Sequence, residues 1–287
     1  MLYEDDAPLN NIDFDDISIK YKTGQMTKVV VSSNEASCWG IGSKVHIPSS
    51  SLYLWPTWHQ HTVAPNGITT IVEDISMLQN GLVEITIRDA PFIPVISRLD
   101  NHSLGAELVL LSRNVKIQGD NDEADKGGYV QILHSSNAQR IIGVEFSKMG
   151  RMAEQDRFPL QFLFCGSVLG SIVSMNSFHD NHQRCVTIDG TSDLILDGNV
   201  AYNNFGHCMH IGSRGKSQRN TISRNLVSQT KSVPYRVQWA DDRYPAAFSC
   251  FHQPNNLIDN IAVSSQFHGF ELYLPYREML EVSTYFL

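Results

Sequence analysis

From Met26-Thr27-Lys28-Val29-Val30-Val31 onward, short β-branched runs alternate with turn residues, and no stretch keeps apolar positions at helical spacing for three or four turns. The pattern predicts an all-β chain. Strand-like pieces fall at 44–47, 68–72, 82–87, 107–111, 115–118 and 129–133, separated by Gly, Asn, Asp and Pro.

A repeat underlies the second half. Ile172-Val173-Ser174-Met175-Asn176-Ser177-Phe178-His179-Asp180-Asn181 aligns with Ile195-Leu196-Asp197-Gly198-Asn199-Val200-Ala201-Tyr202-Asn203-Asn204 at an offset of 23 residues, from Ile172 to Ile195. The same offset pairs Arg184 with His207, Cys185 with Cys208, Val186 with Met209 and Ile188 with Ile211. Thr221-Ile222-Ser223-Arg224-Asn225 and Leu257-Ile258-Asp259-Asn260 read as later coils with longer inserted loops. A self-similar unit of short strands and Asn/Gly corners predicts a β-solenoid, here a right-handed single-stranded parallel β-helix with an N-terminal β cap region. The Leu-x-x-Leu-x-Leu frame and the Trp-Asp signature of the competing repeat folds are missing.

Stacked rungs place equivalent residues in columns roughly 4.8 Å apart, so Val186/Met209 and Ile188/Ile211 fill the interior and Asn176/Asn199 ladder at a corner. Alternation then sends Thr187 and Asp189 outward, with His210 beside Thr187 one coil later and Gln161 and Leu163 on the coil before. Gln161, Thr187, Asp189 and His210 are thereby expected to form a solvent-facing polar column.

Composition narrows the function classes. Forty-two per cent of the 287 residues are hydrophobic and 18% charged, enough for a sizeable core. The net charge of −8, with Lys and Arg scattered, gives no footprint for nucleic acid or an anionic membrane, so a polyanionic ligand needs a local basic site. No run of 18 apolar residues exists, so no membrane insertion is expected, and the acidic start Met1-Leu2-Tyr3-Glu4-Asp5-Asp6 does not read as a signal peptide. The five cysteines form no CxxC pair; Cys185 and Cys208, one rung apart, fit a disulfide or a buried thiol stack equally.

Five separated stretches resemble, in order, the β-helix region of CEMIP-type proteins. They are Arg184-Cys185-Val186-Thr187-Ile188-Asp189-Gly190-Thr191 with Gly206-His207-Cys208, the run 110–119, the run 143–150, Phe158-Pro159-Leu160, and Pro254-Asn255-Asn256-Leu257-Ile258. Trp39-Gly40-Ile41-Gly42-Ser43-Lys44-Val45-His46-Ile47 is similar to the stretch that follows the family's glycine-rich G8 domain, so the likeness spans about 37–275. It implies an extracellular or cell-surface protein that handles a polysaccharide such as hyaluronan by binding or depolymerising it. The alternatives are a non-catalytic structural or recognition module, or a part of a longer G8-domain protein. It divides the chain into an acidic, capping or poorly ordered segment (1–36), a β-rich region before the solenoid (37–100), the parallel β-helix (101–275) and a divergent tail (276–287).

Glycoside hydrolysis ordinarily takes two carboxyl groups flanking the bond. The candidate catalytic residues are Asp189, His207 and His210, and the candidate substrate-binding residues are Gln161, Arg184 and Thr187, with Arg184 and His207 stacked as donors for a uronate carboxylate. The chain departs from the family pattern, which has histidines at positions 161, 163 and 189 and an acidic pair at 212 and 213, where this chain has Gln161, Leu163, Asp189, Gly212 and Ser213. His179-Asp180-Asn181-His182 is either a corner turn or an oxygen-rich corner able to hold Ca²⁺, and the metal requirement is open. His59, His61, Trp55 and Trp58 suggest a cap-packing or sugar-stacking patch, and Asn101-His102-Ser103 is a glycosylation acceptor if the chain is secreted.

Overall fold

A computed structural model describes residues 2–3, 27–34, 36–48, 67–78, 81–88, 107–120, 127–152, 154–212, 214–233 and 241–273. The chain divides into two compact units, Met1–Ser112 and Arg113–Leu287.

In the first unit the alternating runs pair antiparallel. A six-stranded sheet runs in the order Leu2–Tyr3, Thr27–Ser32, Leu82–Ile87, Ile68–Met77, Lys44–Ile47, Val109–Leu110. Val29, Val45, Ile47, Val72, Val83, Ile85 and Ile87 bury one face as its core.

The second unit is a parallel β-helix of about five turns, so the expected fold holds. Sheet one stacks Val115–Gln118, Val144–Ser147, Ser177–His179, Val200–Phe205, Leu226–Lys231 and Ile261–Val263. Sheet two stacks Val130–Leu133, Leu160–Ser167, Val186–Ser192, Met209–Ile211, Ala246–Cys250 and His268–Leu272. Sheet three stacks Arg140–Ile142, Ile172–Ser174, Ile195–Asp197, Thr221–Ser223 and Asn256–Ile258. Every pairing among these strands is parallel, and Val186 faces Met209 and Ile188 faces Ile211, as the 23-residue offset requires. Side chains from the three sheets converge on one interior, where Phe146 stacks on Phe178 at 4.8 Å.

Each corner repeats one device. One register position at the end of sheet one (Lys148, Asp180, Asn203, Gln229, Ser264) takes a left-handed φ of 54° to 58°, and Met175, Arg224 and Asp259 do the same after sheet three at 51° to 56°. Such a conformation costs a non-glycine residue roughly 1–2 kcal/mol, so it persists only where the neighbouring rungs impose it. The next residue is often asparagine, and these stack. Asn176 Nδ2 donates to Asn199 Oδ1 at 2.9 Å, Asn199 Nδ2 to Asn225 Oδ1 at 2.9 Å, and Asn225 Nδ2 to Asn260 Oδ1 at 3.0 Å. Each Oδ1 also accepts the backbone N–H of the preceding asparagine, so the buried corner leaves no ladder donor unpaired. At the other two corners the backbone half of the device recurs, with the Asn181 N–H donating to Asn204 Oδ1 and the Asn220 N–H to Asn255 Oδ1.

Cys185 and Cys208, both fully buried, are joined as a disulfide across adjacent rungs, which settles the alternative that spacing leaves open.

Candidate functional site

The outward positions of sheet two make two columns. Parallel register lines up Gln131, Gln161, Thr187, His210, Ser249 and Glu271 in one, and Leu133, Leu163 and Asp189 in the next. Gln161, Thr187 and His210 therefore share the expected column, whereas Asp189 stands in the adjacent one. Their expected solvent exposure is corrected: Gln161 and Thr187 are fully buried, and Asp189 and His210 keep 2% and 4% of their surface. Alternation decides which way a side chain leaves the strand, whereas exposure depends on what lies over it. Here the inserted segments between strands lay Asp156, Arg214 and Asp242 on this face.

Two ion-pair clusters result. In the first, Arg214 Nη2 lies 2.6 Å from Asp189 Oδ2, Arg214 Nη1 donates to Asp156 Oδ2 at 2.9 Å, and Arg214 Nη2 also bonds Asp156 Oδ1. Gln161 Nε2 donates to Asp156 Oδ1 at 3.0 Å and to Asp189 Oδ2 at 3.3 Å, and its Oε1 accepts from Gln131 at 2.8 Å. Burial pushes the Asp156 carboxyl up, but the bonds from Arg214 and Gln161 outweigh it and hold it below the usual carboxylate range. The two carboxylates raise Arg214 further above its already high value.

In the second cluster Arg184 Nε donates to both oxygens of Asp242, at 2.9 and 3.0 Å, and the backbone N–H of His207 donates to Asp242 Oδ1 at 3.0 Å. Arg184 and His207 do meet around a carboxylate, and it belongs to the protein. His207 Nδ1 accepts the Ala246 N–H at 3.0 Å, and the imidazole stacks on His210 with centroids 5.1 Å apart. His210 in turn meets the edge of Phe251 at 5.5 Å.

Between the clusters, Thr187 Oγ1 and His210 Nδ1 are buried without a hydrogen-bond partner among the described residues. Burial, then the positive charge of Arg184, lowers the His210 pKa well below its ordinary value, so the ring is neutral at pH 7. Gly212 completes the wall: a Cβ there would sit 2.1 Å from Asp189 Oδ1 and 3.0 Å from His210 Nε2. The arrangement offers neutral donors and acceptors flanked by two arginines that already hold carboxylates.

His179-Asp180-Asn181-His182 lies on sheet one and its corner. His179 Nδ1 is 2.8 Å from Asp180 Oδ2 and Nε2 is 3.0 Å from Glu145 Oε1, so the motif's groups bond to protein partners. Among the described residues no group of three or more His, Cys, Asp or Glu side chains is placed to hold a metal ion. Trp55, Trp58, His59, His61 and Asn101-His102-Ser103 lie outside the described residues, as does the tail from 276 on. Sequence reasoning missed Asp156, Arg214 and Asp242 because they sit in insertions that break the period. Gln131 was within reach, since Val130 pairs with Leu160 one coil later.

The family described as CEMIP beta-helix matches residues 125–285. The chain is 26% identical to "Cell surface hyaluronidase" of Danio rerio over 87% of its own length and 20% of the relative's. It is 26% identical to "Cell surface hyaluronidase CEMIP2" of Homo sapiens over 85% of its length and 20% of that protein's. A "G8 domain-containing protein" of Dictyostelium discoideum is 30% identical over 83% of this chain and 17% of its own. The chain thus spans about a fifth of the length of these relatives.

Proposed function

This chain belongs to the CEMIP β-helix family, and from that premise we propose that it is an extracellular polysaccharide-handling module that binds an acidic glycan along sheet two without hydrolysing it. The observation that carries the reading is the Asp156–Arg214–Asp189 cluster. Hydrolysis asks one carboxyl group to give a proton and a second to act as base or nucleophile. Both carboxylates here are bound to one guanidinium, and Asp156 is held ionised. Binding is supported by Arg184 and the His207 backbone N–H, which together hold the Asp242 carboxylate, the kind of group a uronate presents. The buried disulfide fits an oxidising compartment, and no helix among the described residues is long and apolar enough to cross a membrane.

A second reading, cleavage of hyaluronan, draws on the names of the two vertebrate relatives and on Asp156 and Asp189 facing one another across Arg214. One experiment separates them. High-molecular-mass hyaluronan is passed over the immobilised protein and, separately, incubated with it and Ca²⁺. Salt-sensitive retention with an unchanged polymer size distribution is the expected result. Shortening of the polymer that disappears in Asp189→Asn establishes the second reading instead, and lack of retention removes the first.

A further inference from the structure

Sheet one ends at a cleft of about 370 Å³ that the sheet-two site does not use. Four successive coils line it, with Lys148, Asp180, His182, Asn203, Phe205 and Lys231 among the contributors. Lys148, Asp180 and Asn203 occupy the same corner position on consecutive rungs, at φ of 56°, 55° and 58°, so the fold stacks their side chains along one wall.

The cleft's carboxylate is already bonded within the protein. Asp180 Oδ1 accepts from Asn203 Nδ2 at 2.6 Å, and Oδ2 lies 2.8 Å from His179 Nδ1. Lys231 is different. Its ammonium lies 4.4 Å from the centroid of the Phe205 ring, and among the described residues no carboxylate approaches it within the 4.0 Å of an ion pair. Burial lowers its pKa, with Asp180 opposing from farther off. A half-buried ammonium held on an aromatic face, with no carboxylate of the described residues inside ion-pair distance, is a costly arrangement that an anion would relieve. Lys148 brings a second ammonium to the same cleft. The volume lies near the lower end of small-molecule sites, which suits one sugar ring.

We propose that this cleft binds a single sugar residue through its oxyanion substituent, a carboxylate or a sulfate ester, with Lys231 as the principal charge partner. The sugar in this statement rests on the polysaccharide reading above; the anion rests on Lys231 alone.

The test titrates the full chain by calorimetry with D-glucuronate, N-acetylglucosamine 6-sulfate and neutral N-acetylglucosamine. At least one anionic sugar is expected to bind saturably and the neutral one not to; which one binds tells carboxylate from sulfate ester. Lys231→Ala is expected to weaken that binding on the order of tenfold, as for loss of a charged hydrogen bond, while Lys231→Arg largely retains it. Inorganic sulfate is expected to compete on the wild-type protein, a measurement that needs no variant to fold. Equal binding of the neutral sugar, failure of sulfate to compete, or unchanged affinity in a Lys231→Ala protein of wild-type melting temperature overturns the cleft. The two proposals fail separately. Retention of long hyaluronan without binding of either anionic monosaccharide removes the cleft alone, and the converse removes the sheet-two reading alone.

Discussion

Arg214 lies over Asp189 with Nη2 2.6 Å from Oδ2; Asp189 belongs to the strand Val186–Ser192, and Arg214 follows the strand Met209–Ile211 of the next rung. The same guanidinium also holds Asp156, which belongs to the preceding coil, so one side chain fastens two insertions to the sheet-two face.

Removing that guanidinium leaves two carboxylates that share the Gln161 amide with nothing to balance them. Arg214→Gln is expected to cost about 1–3 kcal/mol, less than for a fully buried pair because Arg214 is about a third exposed. Urea midpoints check this. The triple variant with Asp156→Asn and Asp189→Asn should recover part of the loss, and a purely additive series would show that the cluster does not act as a unit.

Gly212 gives a steric test of the same wall. Its Cβ position is 2.1 Å from Asp189 Oδ1, a side chain pinned by Arg214, so Gly212→Ala should destabilise by about 1–3 kcal/mol through overpacking. Asp189→Ala in the same chain removes the obstructing oxygen. The double variant should then be less destabilised than the two single changes added together, and strict additivity in thermal melts would count against the clash.

How much of this was legible in the sequence follows from what each residue's position depends on. Val186, Met209, Ile188 and Ile211 could be placed because a 23-residue offset becomes adjacency once rungs stack, and Asn176 and Asn199 because a buried corner needs its backbone donors paired. Thr187 and Asp189 could be given a direction by alternation, but not an exposure. Their covering comes from Asp156, Arg214 and Asp242, which obey no period. Arg184 and Asp242 are 58 residues apart, as are Asp156 and Arg214, and nothing local links them.

Asn199 sits mid-ladder, donating to Val173 O at 2.9 Å and to Asn225 Oδ1, and accepting from the Asn176 backbone and side chain. Asn199→Leu strands a buried N–H and a buried C=O at once. A loss of about 3 kcal/mol or more is expected, at roughly 1–3 kcal/mol per orphaned group. Hydrogen exchange at the Asn176 amide should rise in parallel. Wild-type protection there would mean that the ladder adds little to the rung pairing itself.

The Cys185–Cys208 bridge closes a 23-residue segment within the core, with Cys38, Cys165 and Cys250 left as thiols. Protein from an oxidising secretory route should therefore give three titratable thiols per unfolded chain. Replacing both bridging cysteines by serine should cost about 3 kcal/mol, the usual range for a loop of this length. Five thiols in well-folded secreted protein would rule out the bridge.

Glu145 links the corner of sheet one to acid stability. Its burial raises the carboxyl pKa, but the hydrogen bonds of His179, Lys116 and the Arg113 N–H outweigh that and bring it to about 2, from an ordinary 4.5. A folded-state pKa below the unfolded one means that the unfolded chain takes up the proton first on acidification. The stabilisation is therefore complete above about pH 4.5 and is lost as pH falls towards 2. The full shift corresponds to about 3 kcal/mol as an upper bound, reduced because Lys116 is half in solvent. Glu145→Gln should thus lower stability at pH 7 by about 1–3 kcal/mol and flatten the fall between pH 4.5 and 2 by up to one proton. Urea midpoints for the two proteins at pH 7, 4.5 and 3 decide it. The gap should narrow steadily with acid, because protonation of the wild-type carboxyl makes it resemble the amide, and a gap that stays constant across that window would show that His179 and Lys116 contribute no net charge stabilisation to Glu145.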